Sequence, residues 1–141
     1  MELNYYDTFI TVAADCPVER GIVPPERKNG KTKPAIEFEL ASEQPYRYTQ
    51  EELLFKVYAQ HKGISDAELS ERGEALKAEF FGKPQACMRA SMLPKKYGWG
   101  IHFNSEGKLA LYPMESPEYR RFIDGEAGNV RLVPAMRSSR K

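Results

Sequence analysis

Residues 99–114 constrain the fold most strongly, because their pattern is typical of a β-hairpin and defines how its two strands pair. Trp99, Ile101 and Phe103 alternate with small or polar residues, as expected for a strand with one buried face. Residues 105–107 end in a glycine, which suits a three-residue loop built on a type I turn with glycine in the left-handed region. The segment therefore predicts a strand, a tight loop and a returning strand.

The three-residue loop sets the register of the hairpin. It pairs Phe103 with Leu109 and Ile101 with Leu111, so that the apolar side chains of both strands lie on one face. A slip of one residue would turn the apolar side chains of one strand to the opposite face, and we therefore expect this register. The other face then carries Gly100, His102, Ala110 and Tyr112.

Two capping signals before the hairpin predict a pair of helices. Thr49 and Glu52 form the pattern of a capping box, in which each side chain accepts a hydrogen bond from the other residue's backbone N–H. Gly63 ends this helix, and Ser65 with Glu68 repeats the capping pattern for a second helix. The apolar positions follow helical spacing, with Leu54, Val57, Tyr58 and His61 in the first helix and Leu69, Leu76 and Phe80 in the second.

Three further segments complete the predicted fold. Residues 5–13 are rich in aromatic and β-branched side chains, and residues 35–40 alternate apolar with acidic side chains, so both are predicted to be strands. Residues 130–133 predict a last strand, after a short helix that begins at Ser116 with proline and an acid in its first turn. The expected fold class is α+β, a small antiparallel or mixed sheet of about four to five strands with the helical hairpin packed on one face.

Length and composition bound the organisation of the chain. It has 141 residues, of which 41% are hydrophobic and 11% aromatic, and a chain of this size can bury one core without disulfide bonds or metals. No linker divides it, so we expect a single α+β domain over residues 1–136 and a flexible basic tail over residues 137–141. The net charge of +1 provides no overall field that favours nucleic acid or a membrane surface.

The sequence lacks the signals of several protein classes. No basic segment followed by an apolar one opens the chain, so no signal peptide is expected, and no apolar run reaches the ~20 residues of a membrane span. Cys16 and Cys87 belong to no paired motif and are expected to be reduced thiols of a cytoplasmic protein. Neither the short spacings of a zinc site nor a phosphate-binding glycine loop is present, so we expect no metal and no cofactor.

Four segments of the chain have distinctive sequences: YYDTFITVAADCPV, YTQEELLFKVYA, QACMRASMLPKKYGWGIHFNSEGKLALYPMES and the ending AMRSSRK. Together they resemble a family of small, uncharacterised bacterial proteins that is carried as a domain of unknown function. The resemblance covers nearly the whole chain and implies a single-domain bacterial protein of the cytoplasm. It implies no activity, cofactor or catalytic residue, so the function has to be argued from the residues themselves.

The leading hypothesis for function is a small binding or interaction domain with a cleft beside the hairpin. Arg89, Lys95 and Lys96 precede a glycine-flanked turn, where the backbone can approach a ligand closely. His102 and Tyr112 lie together on the second face of the hairpin, and they line a cleft if that face is covered. If the face is open, His102 is an ordinary solvent-facing histidine. The basic residues predict that the partner of this site is an anionic small molecule.

Two other classes of function stay open at this point. One is an enzyme that uses His102 and Cys87, since a thiolate is a nucleophile and neighbouring basic residues favour it. The other is a nucleic-acid-binding protein, because basic residues are concentrated in residues 20–33, 83–108 and 131–141, and a shared basic face could meet phosphates. The plainer interpretations are a buried small cysteine and a solvated surface of mixed charge.

Overall fold

The computed structural model describes residues 4–25 and 30–137. Within these residues the chain forms four strands, five α-helices and one short 3₁₀ turn. The strands are β1 (Thr8–Thr11), β2 (Trp99–Phe103), β3 (Leu109–Pro113) and β4 (Arg131–Pro134). The helices are α1 (Lys33–Glu43), α2 (Gln50–Lys62), α3 (Asp66–Phe81), α4 (Met92–Lys96) and α5 (Pro117–Ile123), and the 3₁₀ turn (Met88–Ala90) precedes α4.

The four described strands form one mixed sheet in the order β3-β2-β1-β4. β1 is antiparallel to β2 and parallel to β4, and β2 and β3 form the predicted antiparallel hairpin. The α+β fold class with a small mixed sheet is therefore confirmed. After β4, Ala135 is buried and Met136 donates its backbone N–H to the Arg89 carbonyl. Arg137 is exposed, and the remainder of the predicted tail lies outside the described residues.

The predicted register of the hairpin is confirmed. Ile101 pairs with Leu111 and Phe103 pairs with Leu109. In the loop, the Asn104 side-chain oxygen accepts hydrogen bonds from the backbone N–H groups of Glu106 and Lys108, which holds the turn in shape. Gly107 has φ +79°, the left-handed conformation that the glycine of this loop was expected to provide. On the predicted apolar face, Ile101, Phe103 and Leu109 are buried, and Trp99 and Leu111 are half-buried.

The predicted strand over residues 35–40 is wrong, since this segment lies inside helix α1. Thr32 caps the helix by accepting a hydrogen bond from the Ala35 backbone N–H, and Pro34 lies in the first turn, where proline is tolerated. Six alternating residues are too few to distinguish a strand from a helix. In a strand with its apolar side chains buried, Glu37 would face solvent. In helix α1 it lies beside a cavity instead.

The predicted helical hairpin is confirmed as α2 and α3. Both hydrogen bonds of the Thr49–Glu52 capping box are present, and Gly63 ends α2 with φ +74°. Helix α3 is capped by Ser65 and runs without interruption through Gly73. Helix α2 contributes to the core, whereas α3 packs on the outer side of α2 through aromatic contacts such as Phe55–Phe80 and Tyr58–Phe80.

The two faces of the sheet are covered by different elements. The first, which we call the helical face, contributes Ile10, Ile101, Phe103 and Leu109 to a core with α1, α2 and the 3₁₀ turn. The second, which we call the α5 face, is covered by helix α5. Phe122 of α5 stacks on Phe9, with ring centroids 4.3 Å apart. The Tyr119 hydroxyl oxygen of α5 accepts a hydrogen bond from the backbone N–H of Val12, the residue after β1, at 2.9 Å.

Two glycine substitutions test this packing. A Cβ at Gly100 would lie 2.4 Å from Phe9 Cζ and 2.7 Å from Tyr119 Cε2, so Gly100→Ala should destabilise the protein by about 1–3 kcal/mol through overpacking. The matched control is Gly73→Ala, where a Cβ in the helix meets nothing within 4 Å. This control should stabilise by about 0.5–1 kcal/mol. Urea unfolding measures both, and equal effects at the two sites would contradict the described α5 face.

Candidate functional site

The structure brings together two of the five residues predicted to form the anion site. His102 and Tyr112 lie on the α5 face, as the hairpin register required. Arg89 lies in the 3₁₀ turn, where its side-chain Nε donates to the Pro134 carbonyl at 2.7 Å. Lys95 and Lys96 lie at the end of α4, and Lys96 lines a cavity that neither His102 nor Tyr112 lines. The predicted residues therefore divide between separate regions of the molecule.

His102 and Tyr112 are joined by a residue that the sequence did not single out. The Tyr46 hydroxyl lies 2.8 Å from His102 Nδ1 and 2.7 Å from the Tyr112 hydroxyl. The Phe122 ring covers this group, with its centroid 4.6 Å from that of His102. Burial lowers the pKa of His102, although the charge of Asp7 acts in the opposite direction. The neutral imidazole is thus favoured, and a cationic His102 is not a ready anion ligand.

Two residues with unusual backbone conformations lie next to His102. Tyr46 has φ +60° and Asp7 has φ +45°, backbone conformations that residues other than glycine rarely adopt. Burial and the hydrogen bond that the neutral Tyr46 hydroxyl shares with Tyr112 raise the pKa of Tyr46, so its hydroxyl keeps its proton. No local motif marks Tyr46, because its role depends on partners 56 and 66 residues away in the chain.

Cys87 and His102 are not brought together. The Tyr5 hydroxyl donates to Cys87 Sγ at 3.4 Å, and the Tyr5 ring packs against Phe103 with centroids 5.2 Å apart. Phe103 and His102 are neighbours on one strand, so their side chains lie on opposite faces of the sheet. Glu115, a carboxylate that follows the hairpin, accepts a hydrogen bond from the Gly21 backbone N–H. The geometry therefore does not form a cysteine–histidine catalytic pair.

A second cluster of polar groups lies beside α1, in what we call the Glu37 groove. It consists of a small chamber of about 180 Å³ and a large chamber of about 500 Å³, which share Lys33, Glu37, Ala90 and Ser91. The small chamber is further lined by Leu54, Val57, Tyr58, Phe80, Cys87 and Met88. The large chamber is further lined by Thr32, Pro34, Met92, Lys96 and Tyr97. A carboxyl, a hydroxyl and two ammonium groups thus surround adjoining cavities.

Ser91 holds the Glu37 carboxyl in a defined orientation. The Ser91 hydroxyl donates to Glu37 Oε1 at 2.6 Å and accepts the Leu93 backbone N–H at 3.1 Å. Burial raises the pKa of Glu37 to about 7, although the Ser91 hydrogen bond and the charge of Lys33 act in the opposite direction. Near neutral pH, Glu37 therefore exchanges between a neutral carboxyl and a carboxylate, as acid–base groups in functional sites often do.

Sequence reasoning missed Glu37 because it assigned residues 35–40 to a strand. The signal that finds it is the cap at Thr32 followed by proline at position 34. A helix that begins there puts Lys33 and Glu37 four residues apart, on one side of α1. Ser91 is an N-cap of α4, and its approach to α1 depends on tertiary packing.

The basic segments come together only in part. Lys33 and Lys96, from the first and second segments, line the same large chamber. Arg89 and Arg131, from the second and third, both lie close enough to Tyr5 to lower its pKa, although burial and Cys87 raise that pKa to about 12 overall. Within residues 4–25 and 30–137, no three His, Cys, Asp or Glu side chains are grouped to hold a metal ion.

The comparisons with known proteins identify a family but no activity. The model of a family of unknown function, DUF6157, matches residues 1–141. The chain belongs to this family. The predicted resemblance to an uncharacterised family is therefore confirmed. No curated protein and no solved structure matches the chain. None of the helices in the described part of the chain has both the length and the apolar character that crossing a bilayer requires.

The hydrogen bonds of Tyr46 with His102 and Tyr112 can be tested for their contribution to stability. Tyr46→Phe removes both hydrogen bonds and leaves His102 Nδ1 and the Tyr112 hydroxyl without this partner. The expected destabilisation is about 1–3 kcal/mol, measured by urea unfolding. Tyr97→Phe is the matched control, since the Tyr97 hydroxyl has no hydrogen bond to a described residue. Equal stability of the two variants would show that the network contributes nothing to folding.

The raised pKa of Glu37 predicts a pH-dependent stability. Between pH 4.5 and about 7, the folded protein holds a proton on Glu37 that the unfolded chain has released. The free energy of unfolding contributed by Glu37 is therefore present below pH 4.5 and is lost as the pH rises through about 7. Thermal unfolding of wild type and Glu37→Gln should show the variant gaining in relative stability over this window. A constant difference in Tm would contradict the raised pKa.

Proposed function

We propose that the protein is a small binding domain that takes a small organic anion in the Glu37 groove. The observation that carries the proposal is the presence of two lysines, Lys33 and Lys96, around a cavity that also holds the Glu37–Ser91 pair. The proposal keeps the predicted class of ligand and one predicted residue, Lys96. It moves the site from the His102 side of the sheet to the groove beside α1.

The charges of the groove support an anion as the ligand. Among the described residues, the ion pairs are Lys31–Glu39 and Arg72–Glu68, and neither Lys33 nor Lys96 is paired with a described carboxylate. Glu37 is the one carboxyl group among the residues that line either chamber. When Glu37 is neutral, no carboxylate among the described lining residues balances the two ammonium charges, which attract an anionic group.

The shape of the groove supports a small molecule. The large chamber, at about 500 Å³, lies within the range of roughly 300–1,000 Å³ that small-molecule sites occupy. The small chamber, at about 180 Å³, is close to the size of a cavity that holds a benzene ring. Its Tyr58 and Phe80 rings lie 4.6 Å apart and provide an apolar wall. A ligand with an anionic head beside the lysines and an aromatic or aliphatic tail in the small chamber would fit both chambers.

The same features favour this proposal over the two alternatives. A nucleic acid would use an extended basic surface, whereas Lys33 and Lys96, although exposed, border one chamber together with the Glu37–Ser91 pair. An enzyme with a Cys87–His102 pair would need those side chains on one face of the sheet. We also propose that the protein acts in the cytoplasm, because Cys16 and Cys87 are free thiols, as in proteins of reducing compartments.

A binding experiment with 3-phenylpropionate tests the proposed function. Its carboxylate matches the two lysines and its phenyl ring matches the small chamber. Isothermal titration at about pH 6, where Glu37 is protonated, should detect binding to the wild type. The amide of the same compound, 3-phenylpropionamide, has no charge and should bind more weakly. A thermal-shift screen of organic anions with different tails extends the test, since a ligand that prefers the folded state raises Tm.

The lysines predict which variants lose binding. Lys33→Gln and Lys96→Gln should each weaken 3-phenylpropionate binding by about tenfold or more, the equivalent of one charge-assisted hydrogen bond. Lys95→Gln is the matched control, because Lys95 is the neighbour of Lys96 but lines neither chamber. It should bind as the wild type does. Equal losses in all three variants would indicate a general effect of charge and would refute a site in the groove.

A further inference from the structure

The free oxygen of Glu37 determines what the groove can offer a ligand. The Ser91 hydroxyl oxygen accepts the Leu93 N–H, so its own hydrogen is available to donate to Glu37 Oε1. Oε1 is therefore the acceptor of the carboxyl group, and a proton on Glu37 resides on Oε2. Within the described residues, Oε2 has no hydrogen-bond partner, and Glu37 lines both chambers. A protonated Oε2 is a donor that a ligand can satisfy.

We infer that the groove takes its anion together with a proton, with Glu37 binding as a neutral carboxyl group whose Oε2–H donates to an oxygen of the ligand. This inference rests on the proposed function and specifies its ligand class. The ligand is an oxyanion, such as a carboxylate, with a lone pair free to accept this hydrogen bond. A hydrogen bond between a neutral acid and an anion is charge-assisted and among the stronger kinds.

The other ionisable groups around Glu37 come from each element that packs against it. Among the described residues, helix α1 contributes Lys33, helix α2 contributes Tyr58, and the segment before the 3₁₀ turn contributes Cys87. Helix α4 and the residue after it contribute Lys96 and Tyr97. Helix α3 contributes the Phe80 ring, which carries no charge. Among these, the two lysines attract an anion. A carboxylate at Glu37 would repel one at short range, so the proton on Glu37 determines how tightly an oxyanion is bound.

The inference gives a defined dependence on pH. The pKa of Glu37, raised by burial to about 7, supports a proton on this group at slightly acidic pH. Above that value the binding-competent, protonated fraction falls about tenfold per pH unit, and the apparent affinity falls with it. The bound anion favours the protonated form in turn, so binding above the pKa should take up about one proton from solution.

Titrations of 3-phenylpropionate into the wild-type protein test this dependence. The carboxylate of this probe stays ionised over the range, so a change in affinity reports on the protein. The affinity should fall roughly tenfold or more between about pH 6 and about pH 8.5. Repeating the titration at the higher pH in two buffers of different ionisation enthalpy should show the uptake of about one proton. The binding of 3-phenylpropionamide should change little with pH.

Two substitutions in α1 distinguish the titration of Glu37 from other effects of pH. Glu37→Gln keeps an acceptor for Ser91 and an N–H donor toward the groove but removes the titration. It should bind 3-phenylpropionate at about pH 6 within roughly threefold of the wild type and keep that affinity at about pH 8.5. Glu43→Gln is the matched control, because Glu43 is exposed at the end of the same helix. It should keep the wild-type pH profile.

The outcomes separate this inference from the proposed function. Wild-type binding that is lost in Lys33→Gln and Lys96→Gln, yet is unchanged from about pH 6 to about pH 8.5, would refute the inference and leave the function standing. A folded Glu37→Gln variant that fails to bind at about pH 6 would also refute the inference. No binding of 3-phenylpropionate to the wild type at about pH 6 would overturn both.

Discussion

The antiparallel pairing of β1 with β2 at the centre of the sheet is the interaction on which the other contacts depend. Ile10 lies opposite Ile101 and Phe9 lies opposite His102. Because side chains alternate along a strand, the first pair faces α1 and α2 and the second faces α5. The same pairing places the two clusters of polar side chains on opposite sides of the sheet. His102 is half-buried on the α5 face, whereas the Glu37 groove belongs to the helices stacked on the helical face.

Ser91 links the fold to the groove. As the N-cap of α4 it accepts the Leu93 N–H, which satisfies one of the otherwise unpaired donors of the helix. With its own hydrogen it reaches Glu37 on α1, more than fifty residues earlier in the chain. A buried carboxyl without a donor would be costly when ionised. One hydrogen bond from Ser91 is too little to offset this burial, so the pKa of Glu37 remains raised, to about 7.

The sequence predictions are correct where the residues that support them lie close together in the chain. The hairpin and the capped start of α2 at Thr49 depend on residues a few positions apart, and both are confirmed. The strand predicted over residues 35–40 is wrong, because its alternation was weighed without the cap at Thr32. The contacts of Tyr46 and of Ser91 with Glu37 could not be predicted from the sequence, since each joins distant segments through the packing of whole elements.

Because the charges in the groove are unbalanced, the protonation of Glu37 affects how strongly an anion binds. Among the described lining residues, two lysines, Lys33 and Lys96, face a single carboxyl, Glu37, so the described lining is net positive whether Glu37 is neutral or ionised. An anion is attracted at long range in both states, but at short range the two states differ. The neutral carboxyl offers a hydrogen bond to the bound anion, and the carboxylate places a like charge against it inside a partly desolvated cavity, where screening is weak. Selectivity for anions therefore comes from the lysines, and the strength of binding is set by the proton.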